Sequence, residues 1–125
     1  MANILIFEDE PDIAELYRLE LEDRGHRVLG IHADPNDVLE PADGLQLVLS
    51  PDVILLDDRL GSLSGVKFLK KLRRVFPGAR ILMVSADPDA LDRALSGGAH
   101  GIAKKPLLLK RLAREIESML VPPAS

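Results

Sequence analysis

Acidic side chains follow two separate apolar segments of this 125-residue sequence. Residues 8–10 read Glu-Asp-Glu and follow the apolar residues 4–7, and Asp57 and Asp58 follow the apolar residues 53–56. A single acid at such a place is most often a solvated loop residue or a helix cap. Two converging groups repel each other unless a cation neutralises them, and an all-oxygen site with few ligands suits Mg2+. The pattern therefore predicts a divalent-metal site.

A hydroxyl and an amino group follow two further apolar segments. Ser85 comes after residues 81–84, and Lys105 comes after the weaker segment 101–103. Alone, each is an ordinary strand-end serine or a surface lysine. Beside a metal and a carboxylate they form a phosphoryl site, because metal and ammonium neutralise the phosphoryl oxygens and the hydroxyl donates a hydrogen bond to one of them. The carboxylate is then the nucleophile.

Five short apolar segments without polar alternation predict strands that are covered on both faces. They are Ile4–Phe7, Val28–Ile31, Val53–Leu56, Ile81–Val84 and Gly101–Ala103.

Between these strands, apolar residues recur at helical spacing, and Pro and Gly residues mark where most of the predicted helices begin and end. The predicted helices run from Pro11 to Arg24-Gly25, from Ser64-Gly65 to Pro77-Gly78, from Asp87-Pro88 to Gly97-Gly98, and from Leu107 to Val121. Only Asn36–Glu40 and Leu45–Ser50 lack Pro and Gly between the second and third strands, so a short or kinked helix is expected there.

Strands that alternate with helices predict an α/β fold with parallel pairing and right-handed crossovers. The first, third and fourth segments are the most apolar and are expected at the centre of the sheet. Arg27–His32 and Gly101–Lys104 are expected at its edges. This is the flavodoxin-like, doubly wound five-stranded order 2-1-3-4-5 with helices on both faces, and it predicts a ligand site past the carboxyl ends of strands 1 and 3.

Composition limits the classes of function. A length of 125 residues with 46% hydrophobic residues suits one domain, and the sequence shows no export signal and no apolar run of membrane-spanning length. We therefore expect a cytoplasmic protein with no membrane role. The absence of cysteine excludes thiol chemistry, and the formal net charge of −4 argues against direct nucleic-acid binding by this chain.

The segments ILIFEDEP, PDVILLDDRLGSLSG, ILMVSA and GAHGIAKKP closely resemble the receiver domains of two-component response regulators. The resemblance covers nearly the whole chain. It implies a receiver, or phosphoacceptor, domain over residues 1–121 and a tail or the start of a linker over residues 122–125.

The resemblance also implies the metal ligands. Glu8 and Asp9 match the acidic pair that binds Mg2+, with Asp9 as the direct ligand, and Asp57 matches the phosphorylated aspartate. The carbonyl of Arg59 is expected as a further metal ligand.

Two residues match the groups that handle the phosphoryl oxygens. Ser85 corresponds to the switch hydroxyl and Lys105 to the phosphate-pairing lysine, whose bond to Pro106 is expected to be cis.

Several positions depart from the family pattern. Ile102 replaces the aromatic residue whose rotation reports phosphorylation, and Gly61-Ser62 replaces the Pro-Gly turn that often follows Leu60. Asp58 adds a second acid after the acceptor, and its side chain is expected to face solvent.

Arg59 and Asp87 are expected near the acceptor. They either pair across its mouth and slow hydrolysis, or Asp87 only caps the fourth helix while Arg59 stays in solvent.

The function implied by the resemblance is a phospho-switch rather than an enzyme. Asp57 would accept a phosphoryl group from a sensor histidine kinase or phosphotransfer protein, and the change would alter contacts with a downstream protein target. Only self-catalysed, Mg2+-dependent phosphorylation and dephosphorylation are expected of the domain. The sequence fits both a stand-alone regulator and a receiver cut from a longer protein.

Three alternatives differ in their requirements. A pseudo-receiver would act as a phosphorylation-independent interaction module. A flavodoxin-like cofactor protein needs a phosphate cradle after strand 1, where the acids would repel phosphate. An aspartyl phosphatase needs a second acid two residues after its nucleophile, where Arg59 stands.

Overall fold

A five-stranded parallel sheet forms the centre of the computed structural model, which describes residues 1–39 and 50–120. Its strands are β1 Asn3–Phe7, β2 Arg27–His32, β3 Val53–Asp57, β4 Arg80–Ser85 and β5 Gly101–Lys104. Their order across the sheet is β2-β1-β3-β4-β5, which confirms the predicted topology.

Burial follows the predicted positions of the strands. Every residue of β3 is buried, as is every residue of β1 after Asn3, whereas β2 and β5 are largely half-buried. The central strands β1 and β3 are buried because helices cover both faces of the sheet.

Five helices are described around the sheet. They are α1 Pro11–Asp23, α2 Asn36–Leu39, α3 Leu69–Val75, α4 Pro88–Ser96 and α5 Leu109–Leu120. Buried side chains of α1 and α5 share one core cluster, and those of α2, α3 and α4 share the other. Within the described residues, no helix is long and apolar enough to cross a membrane.

Two helix predictions need adjustment, and a third falls partly outside the described residues. A 3-10 turn at Gly65–Phe68 precedes α3, so the α-helix proper begins later than the sequence predicts. The last helix begins at Leu109 rather than Leu107, because the Leu108 carbonyl accepts the Leu112 N–H and Leu108 is thus the N-cap residue. Of the helix expected over 36–40, Asn36–Leu39 is observed as α2, and residues 40–49 lie outside the described part of the chain.

A charged cluster joins α5 to the opposite end of the sheet from the acidic loops. The Arg24 guanidinium donates to both oxygens of Glu117, at 3.0 and 2.6 Å, and His26 Nε2 lies 2.8 Å from Glu117 Oε2. His26 Nδ1 accepts the Ala2 N–H, so the ring proton is on Nε2 and is donated to Glu117. Hydrogen bonds from Arg24, and then from His26, lower the pKa of Glu117 to about 2.

We predict that Glu117→Gln lowers the free energy of unfolding at pH 7 by about 1 kcal/mol, because a bidentate Arg–carboxylate contact is lost at a partly exposed site. The folded-state pKa lies below the unfolded value, so this stabilisation is present above about pH 4.5 and is lost as the pH falls towards 2. Urea unfolding at several pH values measures it. Glu115→Gln removes the same charge from the same helix and should have little effect; equal effects of the two variants would contradict the assignment.

Candidate phosphoacceptor site

Strand register brings the acidic loops to one edge of the sheet. Phe7 of β1 pairs with Leu56 of β3, so the residues that follow them, Glu8 and Asp57, leave the sheet at the same level. On the other side, the Lys105 N–H donates to the Ser85 carbonyl at 2.9 Å. Four different strands thus deliver the predicted site residues to a common edge.

Asp57 is buried, with 4% of its surface exposed, and it is held from two sides. Its Oδ2 accepts a hydrogen bond from Lys105 Nζ at 2.6 Å, and its Oδ1 accepts the Arg59 N–H at 3.3 Å. Burial acts to lower the pKa of Lys105, but the hydrogen bond and the negative charge of Asp57 outweigh burial and raise it. Lys105 therefore remains a cation beside the acceptor.

Glu8 is a second buried carboxylate beside the first. Its Oε2 accepts the Asp9 N–H at 3.0 Å, while Oε1 is buried without a hydrogen-bond partner and lies 3.8 Å from Lys105 Nζ. Burial, followed by the negative charge of Asp57, raises the pKa of Glu8 to about 8. An orphaned carboxylate oxygen next to a second carboxylate is suited to a hard divalent cation, so the donor set fits Mg2+.

Asp9 stands apart from this pair. Its Oδ2 accepts the Gly61 N–H at 2.8 Å, in the turn of a short antiparallel ribbon that joins Arg59–Leu60 to Leu63–Ser64. Over residues 1–39 and 50–120, no group of three or more acidic or histidine side chains is arranged to hold a metal. The structure thus brings Glu8 and Asp57 together and holds the Asp9 carboxylate on the ribbon.

Ser85 is buried, and its Oγ accepts the Asp87 N–H at 3.0 Å. Because that bond uses an oxygen lone pair, the hydroxyl proton is free to be donated to a ligand. The groove beside it has a volume of about 370 Å³. It is lined by Asp57, Asp58, Arg59, Ser85, Ala86, Asp87 and Lys105.

Asp87 Oδ1 accepts the Asp89 N–H at 3.0 Å and caps α4. In the part of the chain that the structure describes, no ion pair links Asp87 to Arg59, although both line this groove. This arrangement agrees with the alternative in which Asp87 caps the fourth helix and does not pair with Arg59.

The expectation that Asp58 simply faces solvent is wrong. Its side chain is only half-exposed, and Oδ1 accepts a hydrogen bond from Ser64 Oγ at 3.0 Å. The cause is the ribbon, which folds Ser64 back over the end of β3.

Two residues of the site region were not identified by sequence reasoning, namely Gly65 and the amide of Gly61. A Cβ on Gly65 would overlap the Asp57 carbonyl oxygen and lie 3.1 Å from Asp58 Cα. A glycine between Ser64 and the third helix indicated a helix start, but the close approach to β3 is a tertiary contact that sequence spacing does not reveal.

The bond between Lys105 and Pro106 is cis, as expected. Ile102 pairs in register with Met83 and packs, half-buried, against the core cluster under α3 and α4.

Comparison with known proteins decides the family. The family model described as the response regulator receiver domain matches residues 4–117. The chain belongs to that family. A receiver domain is a phosphoacceptor switch of two-component phosphorelays rather than a conventional enzyme, and receivers generally bind Mg2+ at the phosphorylation site and interact with sensor histidine kinases and downstream effectors. The match favours this function over a phosphorylation-independent module.

Relatives of this receiver domain include two longer proteins. It is 31% identical over 120 residues to the uncharacterized transcriptional regulatory protein YkoG of Bacillus subtilis, covering 94% of this chain and 50% of that protein. It is also 31% identical over 124 residues to the response regulator ArlR of Staphylococcus aureus, covering 96% and 53%. The chain therefore spans about half the length of these relatives.

Solved structures show the same fold. A two-component response regulator from Clostridium difficile matches with a TM-score of 0.80 at 24% identity, covering 96% of both chains. A response regulator from Burkholderia pseudomallei, solved with a phosphorylated aspartic acid, a calcium ion and citrate, matches with a TM-score of 0.78 at 24% identity, covering 94% of this receiver and 72% of that chain.

We predict that Gly65→Ala lowers the free energy of unfolding by about 2 kcal/mol or more, because the added methyl group overlaps backbone at the end of β3. Gly78→Ala is the matched control, since a Cβ there meets nothing within 4 Å. Denaturant unfolding of both variants tests the contact, and similar stabilities would show that the close approach is not a constraint.

Proposed function

We propose that Asp57 accepts a phosphoryl group from a phosphohistidine of a sensor histidine kinase or phosphotransfer protein. The observation that carries this proposal is the buried Asp57 carboxylate, which borders an open groove and is paired with Lys105 at 2.6 Å. A carboxylate oxygen attacks phosphorus while the phosphorus–nitrogen bond breaks, and the bonding electrons go to the histidine nitrogen of the donor. The domain itself supplies the catalytic groups for this transfer and for the later hydrolysis.

Two side chains are placed to neutralise the transferred group. Lys105 Nζ already contacts Asp57 and can shift to a phosphoryl oxygen without leaving the site. The Ser85 hydroxyl has its proton available and lines the same groove, so it can donate to a second phosphoryl oxygen. Such positioning and charge neutralisation is the main catalytic contribution in phosphoryl transfer.

Mg2+ is the cofactor of this proposal. Its protein ligands are Glu8, Asp9, Asp57 and the carbonyl of Arg59. Bound there, the ion neutralises the crowded carboxylates and the phosphoryl oxygens. The buried, unpartnered Glu8 Oε1 beside Asp57 supports a cation at this position.

The partner surface of the proposal lies next to Lys105. A largely apolar groove of about 410 Å³ runs between α1 and the start of α5, and Lys105 contributes to its wall. It is lined by Ile13, Leu16, Tyr17, Ala86, Lys105, Pro106, Leu107, Leu109 and Leu112. A phosphodonor protein bound there would present its histidine near Asp57. The proposed downstream effector is also a protein, and the net charge of −4 disfavours direct nucleic-acid binding by this chain.

We predict that acetyl phosphate with Mg2+ adds the mass of one phosphoryl group to the protein and that Asp57→Asn abolishes the addition. Asp58→Asn is the control, because the Asp58 carboxylate accepts a hydrogen bond from Ser64 Oγ and should not be the acceptor. Intact-protein mass spectrometry measures both. Labelling that survives in Asp57→Asn and disappears in Asp58→Asn would show that Asp58, and not Asp57, is the acceptor.

We further predict that phosphorylation requires Mg2+ and that Asp9, unlike the neighbouring Glu10, contributes to Mg2+ binding. Excess chelator should prevent phosphorylation, and Asp9→Ala should weaken Mg2+ binding at least tenfold, because a ligating carboxylate is lost. Glu10→Ala removes an exposed neighbouring acid and should change affinity little. Equal effects of the two variants in calorimetric titrations, or phosphorylation without metal, would contradict the proposed ligand set.

A further inference from the structure

The ribbon turn at Gly61-Ser62 holds the carboxylate that the proposed function assigns to the metal. The Gly61 N–H donates to Asp9 Oδ2 at 2.8 Å across a separation of 52 residues. Gly61 has φ +64, and among the described residues only glycines have a positive φ. A two-residue hairpin with a positive φ only at its first central position is a type II′ turn, which favours glycine there. The geometry of the turn therefore aims this N–H at the acidic loop.

A second observation concerns the position of the Asp9 carboxylate when it accepts the Gly61 N–H. Glu8 and Asp57 lie together under Lys105, yet the described residues contain no group of three acids arranged around a common point. The third carboxylate is thus drawn to the ribbon while the other two remain crowded.

We infer that the Gly61 N–H is a latch on Asp9, which Mg2+ must open in order to bind Glu8, Asp9 and Asp57 together. This inference rests on the proposed metal site. Opening the latch transfers a carboxylate oxygen from an N–H donor to the cation and leaves the turn amide to solvent. The latch lowers Mg2+ affinity by the free energy of one charge-assisted hydrogen bond.

The latch is a property of this chain's turn. Proline often occupies the position of Gly61 in receiver domains, and proline has no N–H to donate. Replacement of Pro-Gly by Gly61-Ser62 therefore creates the donor at the place where Asp9 can reach it.

The ribbon also contacts two other carboxylates of the site. The same ribbon carries the Arg59 N–H that contacts Asp57 and the Ser64 hydroxyl that contacts Asp58. Its outer side borders a groove of about 280 Å³ that reaches Arg93 of α4. The Gly61 turn, a contact to the acceptor and a contact to Asp58 therefore lie on one short segment.

The test separates the N–H from the turn. Chemical synthesis of the full chain with Gly61→D-Pro keeps the positive φ and removes the N–H, whereas Gly61→D-Ala keeps both. Mg2+ titration followed by backbone NMR should give a dissociation constant about three to ten times smaller for the D-Pro chain than for the D-Ala chain. Equal or weaker binding by the D-Pro chain overturns the latch, and failure of the unaltered chain to bind Mg2+ overturns the proposed metal site together with it.

A measurement on the unaltered protein does not depend on those chains folding. Hydrogen exchange at the Gly61 amide should accelerate severalfold when Mg2+ is added, while the Gly25 amide, which donates to the Glu22 carbonyl in a turn at the other end of the sheet, should be unaffected. Unchanged exchange at Gly61 with Mg2+ demonstrably bound would overturn the latch and leave the proposed function intact.

Discussion

The contact between Lys105 Nζ and Asp57 Oδ2 is the interaction on which the rest of the site depends. Two carboxyl groups, Glu8 and Asp57, are nearly fully buried side by side, and burial together with the negative charge of Asp57 raises the pKa of Glu8 to about 8, so the pair does not carry two full negative charges at neutral pH. Lys105 Nζ lies 2.6 Å from Asp57 Oδ2 and 3.8 Å from Glu8 Oε1, and it supplies the positive charge beside them. It does so from the position directly after β5, 48 residues away from the acceptor, so the contact links the end of the edge strand to the end of β3.

The sheet and ribbon serve this arrangement in different ways. Parallel register places the ends of β1, β3 and β4 at one edge, which makes the convergence of charges a consequence of topology. The ribbon then controls the carboxylates around the pair, since its N–H groups and the Ser64 hydroxyl contact Asp57, Asp9 and Asp58. A rigid sheet thus holds the acceptor, and a small turn adjusts its neighbours.

The strands and their order could be predicted because central strands of a parallel sheet must be apolar throughout, as Ile4–Phe7 and Val53–Leu56 are. The convergence of Glu8, Asp57, Ser85 and Lys105 followed from that order. The hydrogen bond between Asp9 and Gly61, the contact of Asp58 with Ser64 and the close approach of Gly65 to β3 could not be predicted in this way. They are made by a ribbon whose pairing depends on tertiary position, and a local pattern carries no signal for such contacts.

A double-mutant cycle on Lys105 and Asp57 measures how strongly the two side chains stabilise each other. The free energy of unfolding in metal-free buffer is measured for the parent, Lys105→Met, Asp57→Asn and the double variant. We expect Lys105→Met to be destabilising when residue 57 is Asp and nearly neutral when residue 57 is Asn, with a coupling free energy on the order of 1 to 3 kcal/mol. Additive effects, within about 0.3 kcal/mol, would contradict the claim that Lys105 neutralises the buried Asp57 carboxylate.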